Sequence, residues 1–207
     1  DLINMDFAEV LRKGLSGVMR YTEKDVNGES IYKEFNLAEL EPDARNEYNR
    51  ITEKINTVST GISISPIDMI IQKLEKAGYT VAEVTGRKFA IQPNDQGNKG
   101  LVTSRKKINT NDAFRLFNNN EVDVLMINQS GSTGASAHAI VTNKVAKEEV
   151  RQRVMIVLQA ELNINTEVQK RGRINRTGQI LKPIYDYMIS AIPAEKRLMM
   201  MLQKKLK

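Results

Sequence analysis

The chain of 207 residues has no cysteine, no tryptophan and a single histidine, His138. Without cysteine there can be no disulfide and no thiolate metal centre, which fits a reducing compartment such as the cytoplasm. One histidine excludes a multi-histidine site, and a lone histidine is given no chemistry here, so no metal site is expected. Aromatic residues make up 5% of the chain, few for the stacking platforms that base-reading single-strand binders use. No apolar run approaches the roughly 20 residues that span a bilayer. The N-terminus also lacks the basic-then-apolar order of a signal peptide, so no membrane partner is expected.

What is present is an ordinary globular balance, 41% apolar and 27% charged. The net charge is +6 and the pI about 9.4. That basic excess is compatible with nucleic-acid phosphates as a partner, although many basic proteins bind none. The chain starts at Asp1 and stops in the basic stretch Lys204-Lys205-Leu206-Lys207. Both ends read as cuts in a longer protein, so missing machinery is expected.

Phe7, Val10, Leu11, Leu15 and Val18 recur at helical spacing and predict a helix over 6–20. Residues 21–42 read as polar and irregular, with a turn at Asn27-Gly28. A second helix is expected from Pro42-Asp43, with Ala44, Tyr48, Ile51, Ile55 and Val58 on one stripe. Residues 1–60 thus read as a helical appendage, and 61–207 as a separate lobe. Ser65-Pro66 opens a helix with Ile67, Ile70, Ile71, Leu74 and Ala77 as its buried face, and Gly78 ends it. Short strands are expected at 81–84, 122–127, 154–158 and 184–189. Helices are expected at 111–117, 165–172 and 193–206, and an exposed loop at 93–108. Strands alternating with helices imply an α/β fold with a mostly parallel sheet. The unbroken apolar runs suit strands covered on both faces. In such folds, sites lie beyond the carboxyl ends of the strands.

Three segments fall there. The first is Gln169-Lys170-Arg171-Gly172-Arg173-Ile174-Asn175-Arg176-Thr177-Gly178-Gln179. Arg173 and Arg176, three apart, share a face if the turn is helical, and two guanidinium groups can grip a triphosphate. The alternative is a solvated basic helix end. The second segment is Ser130-Gly131-Ser132-Thr133-Gly134-Ala135-Ser136, directly after the strand at 122–127. Small residues there allow close backbone approach to a phosphate, or form a simple turn. The third is Thr85-Gly86-Arg87-Lys88, either a phosphate contact or an ordinary charged turn.

The order and spacing of these pieces resemble the C-terminal helicase domain of the Strawberry notch family within helicase superfamily 2. The resemblance runs from Ser65-Pro66-Ile67-Asp68 through Val84-Thr85-Gly86-Arg87-Lys88 and Asn111 to Phe117. It continues through the segments resembling motifs V and VI to Pro193-Ala194-Glu195-Lys196-Arg197, and covers about two thirds of the chain. It extends to bacterial and phage methylase-helicase proteins, whose helical insertion residues 1–60 resemble.

This resemblance implies a three-layer RecA-like lobe. Arg173, Arg176 and Gln169 would be its catalytic residues. Gly134, Ser136 and Gly172 would join Arg173 and Arg176 at the nucleotide. Thr85, Gly86, Arg87, Lys88, Ser130, Ser132 and Thr133 would contact the backbone of DNA or RNA. ATP and Mg²⁺ are the implied cofactors, held mainly by a first lobe, because no Gly-x-x-x-x-Gly-Lys-Thr/Ser loop and no acidic box in a strand occurs here. The first lobe, as N-terminal RecA-like partner, and the motif IV strand are expected upstream. Ser136 stands where other helicases often carry Asp or Asn. A degenerate lobe serving as a docking platform is the competing class. An unrelated Rossmann-like enzyme is disfavoured by the missing glycine fingerprint.

Overall fold

A computed structural model describes residues 2–58, 60–129 and 134–206. In chain order the elements are β1 (Leu2–Asn4), α1 (Ala8–Val18), β2 (Arg20–Lys24), β3 (Ser30–Glu34), α2 (Pro42–Thr57) and α3 (Pro66–Lys76). Then come β4 (Val81–Val84), β5 (Phe89–Pro93), β6 (Lys99–Ser104), α4 (Thr110–Asn118) and β7 (Val124–Ile127). The last are β8 (Val154–Val157), α5 (Ile164–Arg171), β9 (Ile184–Tyr187) and α6 (Pro193–Leu206). They pack as two compact units: Asp1–Lys73 with Phe89–Arg105, and Leu74–Lys88 with Lys106–Lys207.

In the first unit, β6 lies between β1 and β5 in an antiparallel sheet, with Leu2 opposite Leu101 and Ile91 opposite Val102. The segment expected to be irregular, 21–42, holds most of the β2–β3 hairpin, and the loop expected at 93–108 holds β6, the second strand of a hairpin with β5. Every residue of β2 and β3 is exposed, so they show no apolar alternation. The β2–β3 turn has Gly28 at φ 81. It is closed by Asp25 Oδ1, which accepts from the N–H groups of Asn27 and Glu29 at 2.8 Å each. The expected apolar face of α3 is half-buried, and its buried residue is Asp68, 6% exposed. The Asp68 carboxylate accepts from the Ser65 hydroxyl and, at 2.9 Å, from the Ile91 N–H. The Ser-Pro start of α3 is thereby fastened to β5.

In the second unit all strand pairing is parallel: β4 with β7 and β8 with β9. The two pairs share one core. Phe114 of α4, Ala135, Ala137 and Ile174 are buried together, with Leu125 and Ile127 of β7, Met155 of β8 and Tyr185 of β9 against them. A second cluster places Ala82 and Val84 of β4 on Ala113. Helices start where side chains cap them. Asn109 Oδ1 accepts from the Asn111 N–H at 2.8 Å, and Asn163 Oδ1 from the Asn165 N–H at 2.9 Å. The unit is the mixed α/β arrangement expected of a RecA-like lobe. No helix among the described residues is long and apolar enough to cross a membrane.

One position in the first sheet tolerates no side chain. A Cβ on Gly100 would lie 2.3 Å from Ile91 Cγ2 and 2.7 Å from the sulfur of Met5, which is 1% exposed. Gly100→Ala is expected to destabilise this unit by about 1–3 kcal/mol, measured as a lower urea midpoint. An unchanged midpoint would refute that packing.

Candidate functional site

The three sequence segments meet the structure differently. Ser130, Ser132 and Thr133 lie outside the described residues. From Gly134 onward the segment is anchored firmly. Gly134 has φ 88, a conformation that favours glycine. Beyond it, Ala135, Ala137 and Ala139 are buried at 8%, 4% and 0% exposure. These small side chains let two backbone stretches touch. The Ala137 N–H donates to the Arg173 carbonyl at 2.8 Å, and the Ile180 N–H to the Ala139 carbonyl at 2.7 Å. The motif V-like and motif VI-like segments are therefore joined main chain to main chain.

Side chains lock the same joint. Arg173 Nη1 donates to the Ala135 carbonyl at 3.0 Å, while Arg173 Nε is buried with no partner. Asn118 Nδ2, at the end of α4, donates to the Ser136 carbonyl at 2.9 Å. Arg153, just before β8, is 3% exposed. Its Nε donates to the Ala137 carbonyl at 2.8 Å, its Nη1 donates to the Arg151 carbonyl at 3.1 Å, and its guanidinium lies 4.7 Å from the Phe117 ring centre. Burial, then the charge of Arg151, lowers its pKa, yet an arginine remains cationic. Ser136 Oγ lies 2.8 Å from His138 Nδ1. No carboxylate among the described residues pairs with Arg153, Arg173 or Arg176.

The helical argument for the arginine pair needs correction. Helix α5 ends at Arg171, and Ile174, 6% exposed, fills the core between the two arginines. Arg173 is half-buried against Ala135, whereas Arg176 is exposed. Gln169 is exposed on the last turn of α5. Gly172 continues that turn at φ −62. A Cβ there would meet only the Gln169 and Val168 carbonyls at 3.4 Å, so nothing in the chain itself demands glycine.

A buried acid orients α5, and the sequence reading missed it. Glu167 is 0% exposed. Its carboxylate accepts from Tyr187 Oη of β9 at 2.6 Å, from the Glu161 N–H at 2.9 Å and from Lys170 Nζ at 3.0 Å. Burial alone would raise its pKa, but these donors outweigh that and hold it below the usual range. Glu-x-x-Lys on a helix was the available signal, but it is common on solvated faces.

Thr85 and Arg87 are likewise tied within the chain. Glu83 of β4 is buried and accepts from the Thr85 hydroxyl. Arg87 reaches its two oxygens from Nε at 2.9 Å and Nη2 at 2.8 Å. Gly86 and Lys88 stay exposed. Near the C-terminus, Glu195 accepts from the Ser190 N–H at 2.6 Å, fastening the start of α6.

Residues 65–207 match the family described as the C-terminal domain on Strawberry notch homologues. Protein strawberry notch homolog 1 of Gallus gallus is 26% identical over 162 residues, covering 75% of this chain and 13% of that protein. The Homo sapiens homolog 1 is 26% identical over 75% of this chain and 11% of its own length. Protein strawberry notch of Drosophila melanogaster is 26% identical over 75% of this chain and 9% of its own. The chain thus spans about a tenth of the length of the relatives it matches. No solved structure matches it.

Glu167→Gln is expected to destabilise the chain by about 3 kcal/mol, because one amide oxygen cannot serve all three donors. The folded-state pKa lies below the unfolded one. The carboxylate's contribution is therefore full above the ordinary glutamate range and is lost as pH falls through the folded value. Equal acid-unfolding midpoints for wild type and Glu167→Gln would contradict this.

Proposed function

Because the chain belongs to the family of C-terminal domains of Strawberry notch homologues, we propose that it is the second lobe of an ATP-dependent superfamily 2 helicase or translocase. The observation that carries this reading is the joint between residues 135–139 and 173–180, where arginines gather without acids. A cluster of arginines unpaired with any acid among the described residues is suited to phosphate. The unused Arg173 Nε is a spare donor of the kind a polyphosphate accepts from. The fit is partial in the way a second lobe should be. The described residues offer cations, but no group of three or more His, Asp or Glu placed to hold a metal ion. Mg²⁺ and most of the triphosphate would rest on the N-terminal lobe of the same polypeptide.

In this reading the ATP supplies the phosphoanhydride bond whose cleavage drives the motor. Arg176, exposed and unpaired with any acid among the described residues, reaches toward the terminal phosphates on lobe closure. Arg173 reaches them only if its guanidinium leaves the Ala135 carbonyl, so it holds motif V and senses the nucleotide through the same atoms. Gln169, Gly172, Gly134 and Ser136 border that path. Lys88 and Gly86 meet the nucleic-acid backbone, DNA before RNA, and Ser130, Ser132 and Thr133 continue that contact. Thr85 and Arg87 shape it through Glu83. Residues 1–60 form an insertion preceding the 61–207 lobe. The matched relatives named above are animal proteins, and a bacterial or phage parent of the methylase-helicase kind is our proposal from the motifs alone.

The decisive test is nucleic-acid-stimulated ATP hydrolysis by the full-length parent. Arg176→Ala is expected to lose about 10³-fold or more in rate while melting like wild type. Arg173→Ala is expected to lose activity and some stability together. If wild type is inactive, or both variants match it, the lobe is a docking platform instead. For nucleic acid, Lys88→Ala is expected to reduce the salt dependence of binding by about one charge. Arg87→Ala should instead act mainly on stability, since it removes the two guanidinium donors to the buried Glu83 carboxylate. A loss of salt dependence in Arg87→Ala but not Lys88→Ala would reverse these roles.

A further inference from the structure

His138 sits inside the joint and has no part in the mechanism above. It is half-buried and follows Ala137, whose N–H is bonded to Arg173. Its Nδ1 is 2.8 Å from Ser136 Oγ. That hydroxyl has one proton, and the other acceptor within reach, the Arg173 carbonyl, is 3.5 Å away. In either tautomer Ser136 Oγ engages Nδ1, so Nε2 is the ring nitrogen left without a partner among the described residues. The charges acting on the ring are Arg176, from the turn after α5, and Arg153, from the edge of β8. Arg173 is turned onto Ala135, Ser136 is neutral, and no carboxylate among the described residues opposes them. A ring nitrogen without a partner, set among cations, becomes an anion contact when the ring is protonated.

We propose that His138 is a further phosphate contact of this site, its Nε2–H donating to the same terminal phosphate that Arg176 grips. This rests on the ATP reading and extends it to a residue that can change charge. In the free chain, burial first, then Arg176 and Arg153, hold the imidazole below its ordinary range, so it is neutral at pH 7. A phosphate beside it favours the imidazolium. Binding then draws in a proton, and release of phosphate returns it.

The test is a proton NMR titration of the 207-residue chain, in which His138 is the only imidazole, with and without inorganic pyrophosphate. Calorimetry on the same samples measures binding independently. Pyrophosphate is expected to move the His138 midpoint up by about one pH unit. In Arg176→Ala the free midpoint should rise, because a cation is gone, and the pyrophosphate effect should vanish. His138→Gln, which keeps a neutral donor, should bind pyrophosphate while losing the proton uptake. If pyrophosphate binds through Arg176 but the midpoint stays put, the inference is overturned and the ATP reading survives. If calorimetry finds no binding, the inference is overturned, while the ATP reading, in which the first lobe holds most of the triphosphate, is decided by the full-length hydrolysis assay.

Discussion

The bond from the Ala137 N–H to the Arg173 carbonyl is the contact around which the second unit is arranged. It requires two backbones to approach closely, and only small side chains permit that. Ala135, Ala137 and Ala139 supply them in alternation, all buried. The remaining parts then follow from backbone accounting, because a buried carbonyl needs a donor. Arg153 satisfies Ala137, Arg173 satisfies Ala135, Asn118 satisfies Ser136 and Ile180 satisfies Ala139. The donors come from the end of α4, the edge of β8 and the loop after α5, so the loop after β7 is fixed by its surroundings rather than by its own geometry.

That arrangement has an electrostatic cost that shapes the chemistry. Buried arginines lacking a carboxylate are held by carbonyl dipoles and by an aromatic face, as Arg153 is over Phe117. Carbonyls orient a guanidinium without neutralising it. The site therefore keeps a positive field, and after burial the charges of Arg176 and Arg153 add to the lowering of the His138 pKa. The acids of this unit are placed elsewhere. Glu167 is spent on α5 and β9, and Glu83 on Thr85 and Arg87.

The sequence made legible whatever depended on a period or a capping residue. The helices α1 to α6 and the strands β4, β7, β8 and β9 fall within a few residues of expectation, but β8 and β9 are not covered on both faces as expected, since Val154, Ile156 and Ile184 are exposed. The hairpin β2–β3 was not legible because a strand with no buried face has no alternation to read, and β5–β6 was not because its part-buried positions do not alternate regularly. Within the site, glycines and arginines were visible as a pattern, but their directions were not. Only tertiary packing turns Arg173 inward and leaves Arg176 outside, since Ile174 between them must enter the core. Glu167, Glu83 and Arg153 escaped for the same reason. A lone charge in sequence looks solvated until its partners, distant along the chain, are known.

The first unit carries a consequence for how the chain is made. Its central strand β6 pairs on one side with β1, joining Leu2 to Leu101, while its other neighbour, β5, is adjacent in sequence. The β5–β6 hairpin closes a short loop, whereas docking β1 closes one of about a hundred residues. The hairpin can zip as soon as it is synthesised. The first strand must wait, unpaired, until most of β6 has emerged, and its attachment is the slow, non-local step of assembly. Order of synthesis and order of pairing are thus reversed within this sheet: β1, made before β5 and β6, is the last to join them.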